Sequence, residues 1–460
     1  MLRSLWGLRT KRPVLFAVSV GTVCLLLAYP VLDVILQSIG LSYPFTPESG
    51  HDFAAYYLAA RRFLAGVHLY PEEIGVIVTG NGYTPYSATE TLGLGDVLPP
   101  ADDPRVSAYI YPPVIVLVFV PFSLLPFQAA YVLWNVVSLF ALWVGILSLV
   151  RTYGVTLSRV EKVLVLWALV GFQPVLYALK QGQIAVALAA LFCFAAVAFE
   201  RGRNAPDQRQ QGSRRTRLIS GVLTTLASFP KLFYATSGAH LLHDRDRLTG
   251  ALGTLVLLGS LSVVVFGVEQ HLRFFEILMV GKGWGESMPL ASFAHDGFHP
   301  GYYNPFYVAG SFSLALRGLL LFSLVGLVVV TRGRPDVERP TFVLGLAAIP
   351  LLAPEAYTIE FASLLPAAIM LGYDEWKRTG GVPSVAPVAV ALFGVHLQAL
   401  RLLAWIVPSK VPRLDFLVPA MAFLQPGLLG NLLLCGLAGY RVVEPLLSES
   451  NIPHIRPWNE

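Results

Sequence analysis

The chain has 460 residues, of which 55% are hydrophobic and only 13% charged, and its mean hydropathy is +0.63. A soluble domain carries about 25% charged residues, so most of this surface cannot face water. The same composition excludes a disordered chain, collagen, a coiled coil and a disulfide scaffold, and a formal charge of +5 fits basic loops between membrane spans rather than a nucleic-acid partner.

A span needs roughly 20 apolar residues, fewer where it is buried in protein. The basic N-terminus leads into an apolar run, Val14 to Ile39. That run exceeds a signal-peptide core of roughly 7–15 residues and has no small-residue cleavage site, so it reads as a retained first span. Further candidates are 127–150, 160–178, 183–199, 248–267, 312–331, 339–353, 356–373, 382–406 and 415–441. The apolar stretch 217–243 is interrupted by Pro230-Lys231 and reads as two half-spans with Lys231 at the tip. The expected architecture is therefore an all-α polytopic membrane protein, a single domain over 1–460, with about 12 crossings. Cys24, Cys193 and Cys435 sit singly in apolar runs and suggest neither a metal site nor disulfides.

Loop charge orients the spans. The loops 1–13, 151–162, 200–217 with six Arg, 243–247, 331–339 and 374–378 are basic and are expected inside, which makes both termini cytoplasmic. This requires Tyr111 to Pro126, rich in proline, to be a re-entrant or surface helix at the outer face. Two large outer segments remain, 41–126 and 268–311, and the chemistry is expected there.

The first outer segment opens with His51-Asp52-Phe53-Ala54-Ala55-Tyr56-Tyr57 and continues through Arg61-Arg62 to Gly66. Phe53 to Leu64 has helical composition, and Gly66 can end that helix. Asp52 or Ser49 can cap its start. A carboxylate there is kept ionised by the helix dipole, which also suits a general base. Arg61 and Arg62 can pair with phosphate oxygens, or with acidic loop residues and lipid headgroups. His51 can orient Asp52 or stand in solvent.

The second outer segment holds His295-Asp296-Gly297-Phe298-His299 and Tyr302-Tyr303-Asn304. Histidines four apart can ligate zinc on a helix, but Gly297 and Pro300 disfavour a helix here. Trp284, Tyr302 and Tyr303 can stack on a sugar while Asn304 bonds a hydroxyl; an interfacial aromatic belt has the same composition. The acidic residues of the first loop (Glu48, Glu72, Glu73, Glu90, Asp96, Asp102, Asp103) follow no cation-loop spacing, so no metal or other cofactor is expected. His396, inside a span, suits an interhelical hydrogen bond, and Asp33 suits a position near the outer interface or a helix–helix bond.

Several of these pieces together resemble glycosyltransferase family 87, also called DUF2029, of the GT-C fold. They are Asp52-Phe53-x-x-Tyr56-Tyr57-x-Ala59-Ala60 with Gly66-x-x-Leu69-Tyr70, then Tyr111-Pro112-Pro113, Gly182-Gln183, Gly221 with Pro230-Lys231, and Ala353-Pro354-x-x-Tyr357. The likeness covers roughly 14–375. It implies an inverting transfer of mannose, or another hexose or pentose, from a polyprenyl-phosphate donor to a lipid or glycan acceptor of the cell envelope. The reaction would occur at the outer face of the plasma membrane, with Asp52 as base. It implies phosphate-binding roles for Lys231, Lys180, Arg61 and Arg62. Sugar or acceptor contacts would fall to His51, Tyr56, Tyr111, Gln183, His295, His299, Tyr302, Tyr303, Asn304, Tyr357 and Glu360. The chain departs from the family's Ser-Pro-x-x-Trp stretch and its following His; Glu360, His295 or His299 is expected to take that role. A lipid-linked sugar flippase, or a GT-C scaffold without activity, are the competing readings.

Overall fold

The computed structural model describes residues 9–40, 42, 50–70, 109–203, 211–280, 302–303, 312–353, 356–410 and 425–449. They form an all-α multi-pass membrane protein. The helices are α1 (Pro13–Ser38), α2 (His51–Leu64), α3 (Val116–Ser123), α4 (Phe127–Thr152), α5 (Arg159–Val170), α6 (Gln173–Gln181), α7 (Ala185–Arg203) and α8 (Gln211–Ser228). They continue with α9 (Arg245–Val280), α10 (Ser313–Val330), α11 (Glu338–Ala347), α12 (Ile349–Leu352), α13 (Leu365–Lys377), α14 (Val385–Lys410) and α15 (Pro426–Glu449). Two 3-10 segments, Leu232–His243 and Thr358–Leu364, follow α8 and α12.

Seven of the described helices are long and apolar enough to cross a bilayer, eight if α5 and α6, bent by 65°, count as one span. The expected twelve crossings do not all appear as regular helices. Candidates 339–353 and 356–373 resolve into α11, α12, the second 3-10 segment and α13, because Pro350, Pro354 and Pro366 interrupt the run. The basic loop expected over 200–217 is also shorter: α7 reaches Arg203 and α8 starts at Gln211. Arg201 and Arg203 in the last turn of α7 complement the helix dipole, so the positive charge that marks a loop also extends the helix. In the same way α9 continues past a kink at Gly267 into the expected outer segment. The Pro-rich run gives a short 3-10 turn, Pro113–Ile115, and α3.

Burial separates centre from rim. In α7, 78% of the apolar window is buried inside the protein, against 17% in α1 and α9, so α7 is the axis and the other two face lipid. Its many alanines let neighbours approach: a Cβ on Gly145 of α4 would sit 2.8 Å from Cys193 Cβ. Gly221 of α8 works likewise, since a Cβ there would lie 1.9 Å from the Arg247 carbonyl oxygen of α9.

The ends of α7 carry different polar clusters. Residues 185 and 200 are about 22 Å apart along the helix. At the later end Glu200 accepts two hydrogen bonds from Arg339 (2.6 and 2.7 Å) and one from Tyr153 (3.1 Å). Arg339 also reaches Asp374 at 2.6 Å, and Arg441 grips Glu375 in a fork at 2.6 and 2.7 Å. The cluster ties α4, α7, α11, α13 and α15. Burial pushes the Asp374 carboxyl up, but Arg339 and Arg378 beside it outweigh this and hold it below its usual value. A depressed value means this carboxylate stabilises the fold at neutral pH, a contribution lost as pH falls through the depressed value.

Glu200 is fully buried, so removing its partner leaves an uncompensated charge. Arg339→Ala is expected to cost about 3–5 kcal/mol, while the paired apolar replacement Arg339→Met with Glu200→Leu costs much less. Thermal unfolding of the detergent-solubilised variants measures both.

Candidate active site

The other end of α7 holds the residues singled out from sequence. It is built on the end of α6. The N–H of Gly182 bonds to the Leu179 carbonyl (3.1 Å) and that of Gln183 to the Ala178 carbonyl (2.8 Å), a Schellman closure. Gly182 has φ +66°, which an L side chain rarely adopts. The remaining carbonyls of this helix end are taken up by α4. Tyr131 Oη lies 2.9 and 2.8 Å from the Leu179 and Lys180 oxygens, Asn135 donates to Leu179 at 3.0 Å, and Trp134 donates to Gly182 at 3.1 Å. Inside a bilayer these oxygens have no water to turn to.

This turn presses on α2. A Cβ on Gly182 would stand 2.4 Å from Phe53 Cβ, so only glycine lets the two backbones meet. Phe53 is itself wedged among Phe119, Phe127 and Tyr131. The contact sets Asp52, in the first turn of α2, opposite Gln183, whose Nε2 donates to Asp52 Oδ2 at 2.9 Å. Asp52 is not the cap of α2; Gly50 occupies that position, without a side-chain hydrogen bond. Tyr56, one turn along, donates to Gln183 Oε1 at 2.6 Å and is 2.9 Å from the Tyr111 hydroxyl. Both tyrosines are buried.

Lys231 comes from the break between α8 and the first 3-10 segment, as the Pro230-Lys231 pair suggested. Its Nζ donates to Glu360 Oε1 at 2.6 Å, and Tyr234 donates to Glu360 Oε2. Glu360 is fully buried and both its oxygens are engaged. Lys231 lies within electrostatic reach of Tyr111 and Asp52, so the two clusters are neighbours. A short antiparallel pairing, β1 (Tyr302–Tyr303) with β2 (Ala356–Tyr357), sets Tyr302 opposite Tyr357 and carries the second outer segment to the chain leading into Glu360.

Other expected site residues stand apart. Lys180 donates to Asp33 of α1 at 2.6 Å and to Ser42 at 3.2 Å, making the helix–helix bond expected of Asp33. Arg61 reaches the Ser123 carbonyl at 3.4 Å and Arg62 the His68 carbonyl at 2.7 Å. His396 accepts from the Gly427 N–H at 3.1 Å, the interhelical role expected for it. His295, His299, Asn304 and Trp284 lie outside the described residues, as do Ser49 and the scattered acidic residues of the first loop; for His51, Tyr302, Tyr303 and Tyr357 only the backbone is described. Tyr234 was missed by sequence reasoning. Its position three residues after Lys231, one turn of a helix, is the signal that could have found it.

The fold and this polar cluster at helix ends define a multi-pass membrane protein, and comparison with known proteins gives its family. The model of glycosyltransferase family 87 matches residues 109–354, more than half of the chain. The chain belongs to this family. The match includes Tyr111, Lys180, Gln183 and Lys231, while Asp52 and Glu360 lie outside it. Among curated proteins, the chain is 25% identical over 276 residues to a polyprenol-phosphate-mannose-dependent alpha-(1-2)-phosphatidylinositol pentamannoside mannosyltransferase of Mycobacterium tuberculosis. That alignment covers 57% of this chain and 58% of the relative. Among solved structures, ArnT of Cupriavidus metallidurans bound to undecaprenyl phosphate aligns at 13% identity and TM-score 0.36, covering 97% of this chain and 82% of that one. The apo form aligns at 14% identity and TM-score 0.33, covering 93% and 81%.

Breaking the Lys231–Glu360 pair tests how the site is held. Glu360→Leu is expected to lower stability by about 3–5 kcal/mol by stranding a buried ammonium, and adding Lys231→Met to recover most of it. Unfolding midpoints of the two single variants and the double variant give the coupling.

Proposed function

We propose that this glycosyltransferase moves a sugar from a polyprenyl-phosphate donor to a lipid or glycan acceptor at the outer face of the plasma membrane, with inversion and with Asp52 as general base. The observation that carries the reading is the hydrogen bond from Gln183 to Asp52, with Lys231 within electrostatic reach of that carboxylate. The positive charge of the intervening loops supports placing that end outside, with both termini in the cytoplasm.

In the proposed step the acceptor oxygen attacks the anomeric carbon on the face opposite the phosphate. Its proton passes to the Asp52 carboxylate as the new bond forms. The bond from the anomeric carbon to the phosphate oxygen breaks, and its electron pair leaves with the polyprenyl phosphate. A single displacement of this kind inverts the anomeric centre. Charge grows on the phosphate, where a fixed cation lowers the barrier. The reading assigns this cation to Lys231, whose ammonium has three N–H groups, one of them donated to Glu360. Glu360 and Tyr234 then aim the ammonium rather than touch the sugar. Lys180 is bound to Asp33, so a phosphate role for it requires a bridging geometry within that pair. The tail of such a donor stays among lipid-facing helices while its sugar reaches the polar end, which accounts for the membrane body.

Mannose is the first donor sugar to test, because the mycobacterial relative is by its name dependent on polyprenol-phosphate-mannose. Purified enzyme with polyprenyl-phosphate mannose and an envelope glycolipid extract is expected to release polyprenyl phosphate and yield a mannosylated product, both read by mass spectrometry. Asp52→Asn should lower this turnover by at least ~10²-fold. Unchanged turnover would refute the base assignment. Movement of labelled lipid-linked sugar across a vesicle without transfer would favour the flippase.

A further inference from the structure

We infer that Gln183 is a positioning residue for Asp52: its amide is locked in one orientation so that its N–H, and never its carbonyl, faces the carboxylate. This rests on the reading of Asp52 as the base.

The lock follows from counting donors. The Gln183 side-chain oxygen accepts the backbone N–H of Ile184 at 2.8 Å and the Tyr56 hydroxyl at 2.6 Å, with the Tyr111 oxygen 3.2 Å away. An amide oxygen has two lone pairs, so these donors fill it. The Ile184 N–H is a backbone donor that cannot become an acceptor. It is also one of the orphan donors at the start of α7, and it has to be satisfied. Turning the amide over would set an NH₂ group against that N–H and a carbonyl oxygen against Asp52, two repulsive contacts at a buried site. Gln183 is buried, so water cannot relieve either contact.

The consequence for the reaction is geometric. One carboxylate oxygen of Asp52, Oδ2, is fixed by the amide at 2.9 Å, which limits rotation of the carboxylate and sets the direction of its other oxygen. The filled carbonyl also has no capacity left for a sugar hydroxyl, and one of the two amide N–H groups is spent on Asp52. The role inferred for Gln183 therefore runs through Asp52. Gly182 belongs to the same device, since its left-handed turn and its contact with Phe53 bring the amide within reach.

The test is a double-mutant cycle in the full-length enzyme, read as release of polyprenyl phosphate from polyprenyl-phosphate mannose. Gln183→Glu keeps the shape and the acceptor for Tyr56 but puts an oxygen against Asp52. Gln183→Met keeps the length and loses both polar functions. Each is expected to lower kcat by about 30-fold or more while donor KM stays within about threefold, and the loss should shrink to less than about threefold when Asp52 is already Asn. Tyr56→Phe, which loosens the lock without removing the amide, should fall between these variants and the wild type. Equal melting midpoints for Gln183→Glu and wild type separate the effect from misfolding, and Gln183→Met supplies the same cycle if the Glu variant unfolds. A loss of the same size in both Asp52 backgrounds, a rise in KM at constant kcat, or no loss at all would each overturn the inference. Full turnover in Asp52→Asn alone would instead refute the base reading beneath it.

Discussion

A helix that ends buried in protein leaves carbonyl groups that water cannot reach, and the end of α6 is such a place. Gly182 turns the backbone left-handed, and Tyr131, Trp134 and Asn135 of α4 supply the donors. The same turn removes the Cβ that would keep α2 away. Docking of α2, placement of Asp52 and the start of α7 are thus settled by one residue without a side chain. Gln183 follows it directly and spends its polar groups on the two elements the turn has brought together.

The charges obey a related rule. Asp33, Glu200 and Glu360 are all buried, and each has a cation within 2.6 Å. Replacing such ion pairs with apolar side chains would often do no harm to stability, so their retention invites an explanation in geometry. At the Glu200 end the pairs join five helices into a frame. At the Lys231 end the pair holds an ammonium within electrostatic reach of Asp52 and Tyr111. Asp33 and Lys180 join α1 to the last turn of α6, two residues before Gly182.

Much of this was legible in the chain because lipid makes strong demands. Low charge and long apolar runs marked α1, α4, α7 and α10 close to their observed limits. Gly66, with φ +70°, closes α2 as its position suggested. Pro230-Lys231 marked the break that holds Lys231. Contacts between segments far apart in the chain were not legible. Nothing in the local pattern around Lys180 says that its partner is 147 residues earlier, or around Glu360 that it belongs to Lys231, 129 residues before it. An apolar run also does not reveal how it is divided. Residues 339–377 read as two spans because hydropathy averages over the prolines that cut them into pieces.

Those pieces explain why the site sits where it does. Irregular backbone at membrane depth is tolerated only where protein covers it or where it lines a cavity. Gln183 follows the end of α6, Lys231 follows the end of α8, and Glu360 lies in the 3-10 segment after α12 and β2. Gln183, Lys231 and Glu360 are thus delivered where helices stop short, while Asp52 and Tyr56 come from the first turns of α2. A full-length span would have carried these side chains past the site or turned them by 100° per residue around its own axis. The shortfall in regular spans and the convergence of the polar residues are therefore one structural fact. The broken helices are the means by which this charge-poor chain brings Gln183, Lys231 and Glu360 to the end of α7 that Asp52 also faces.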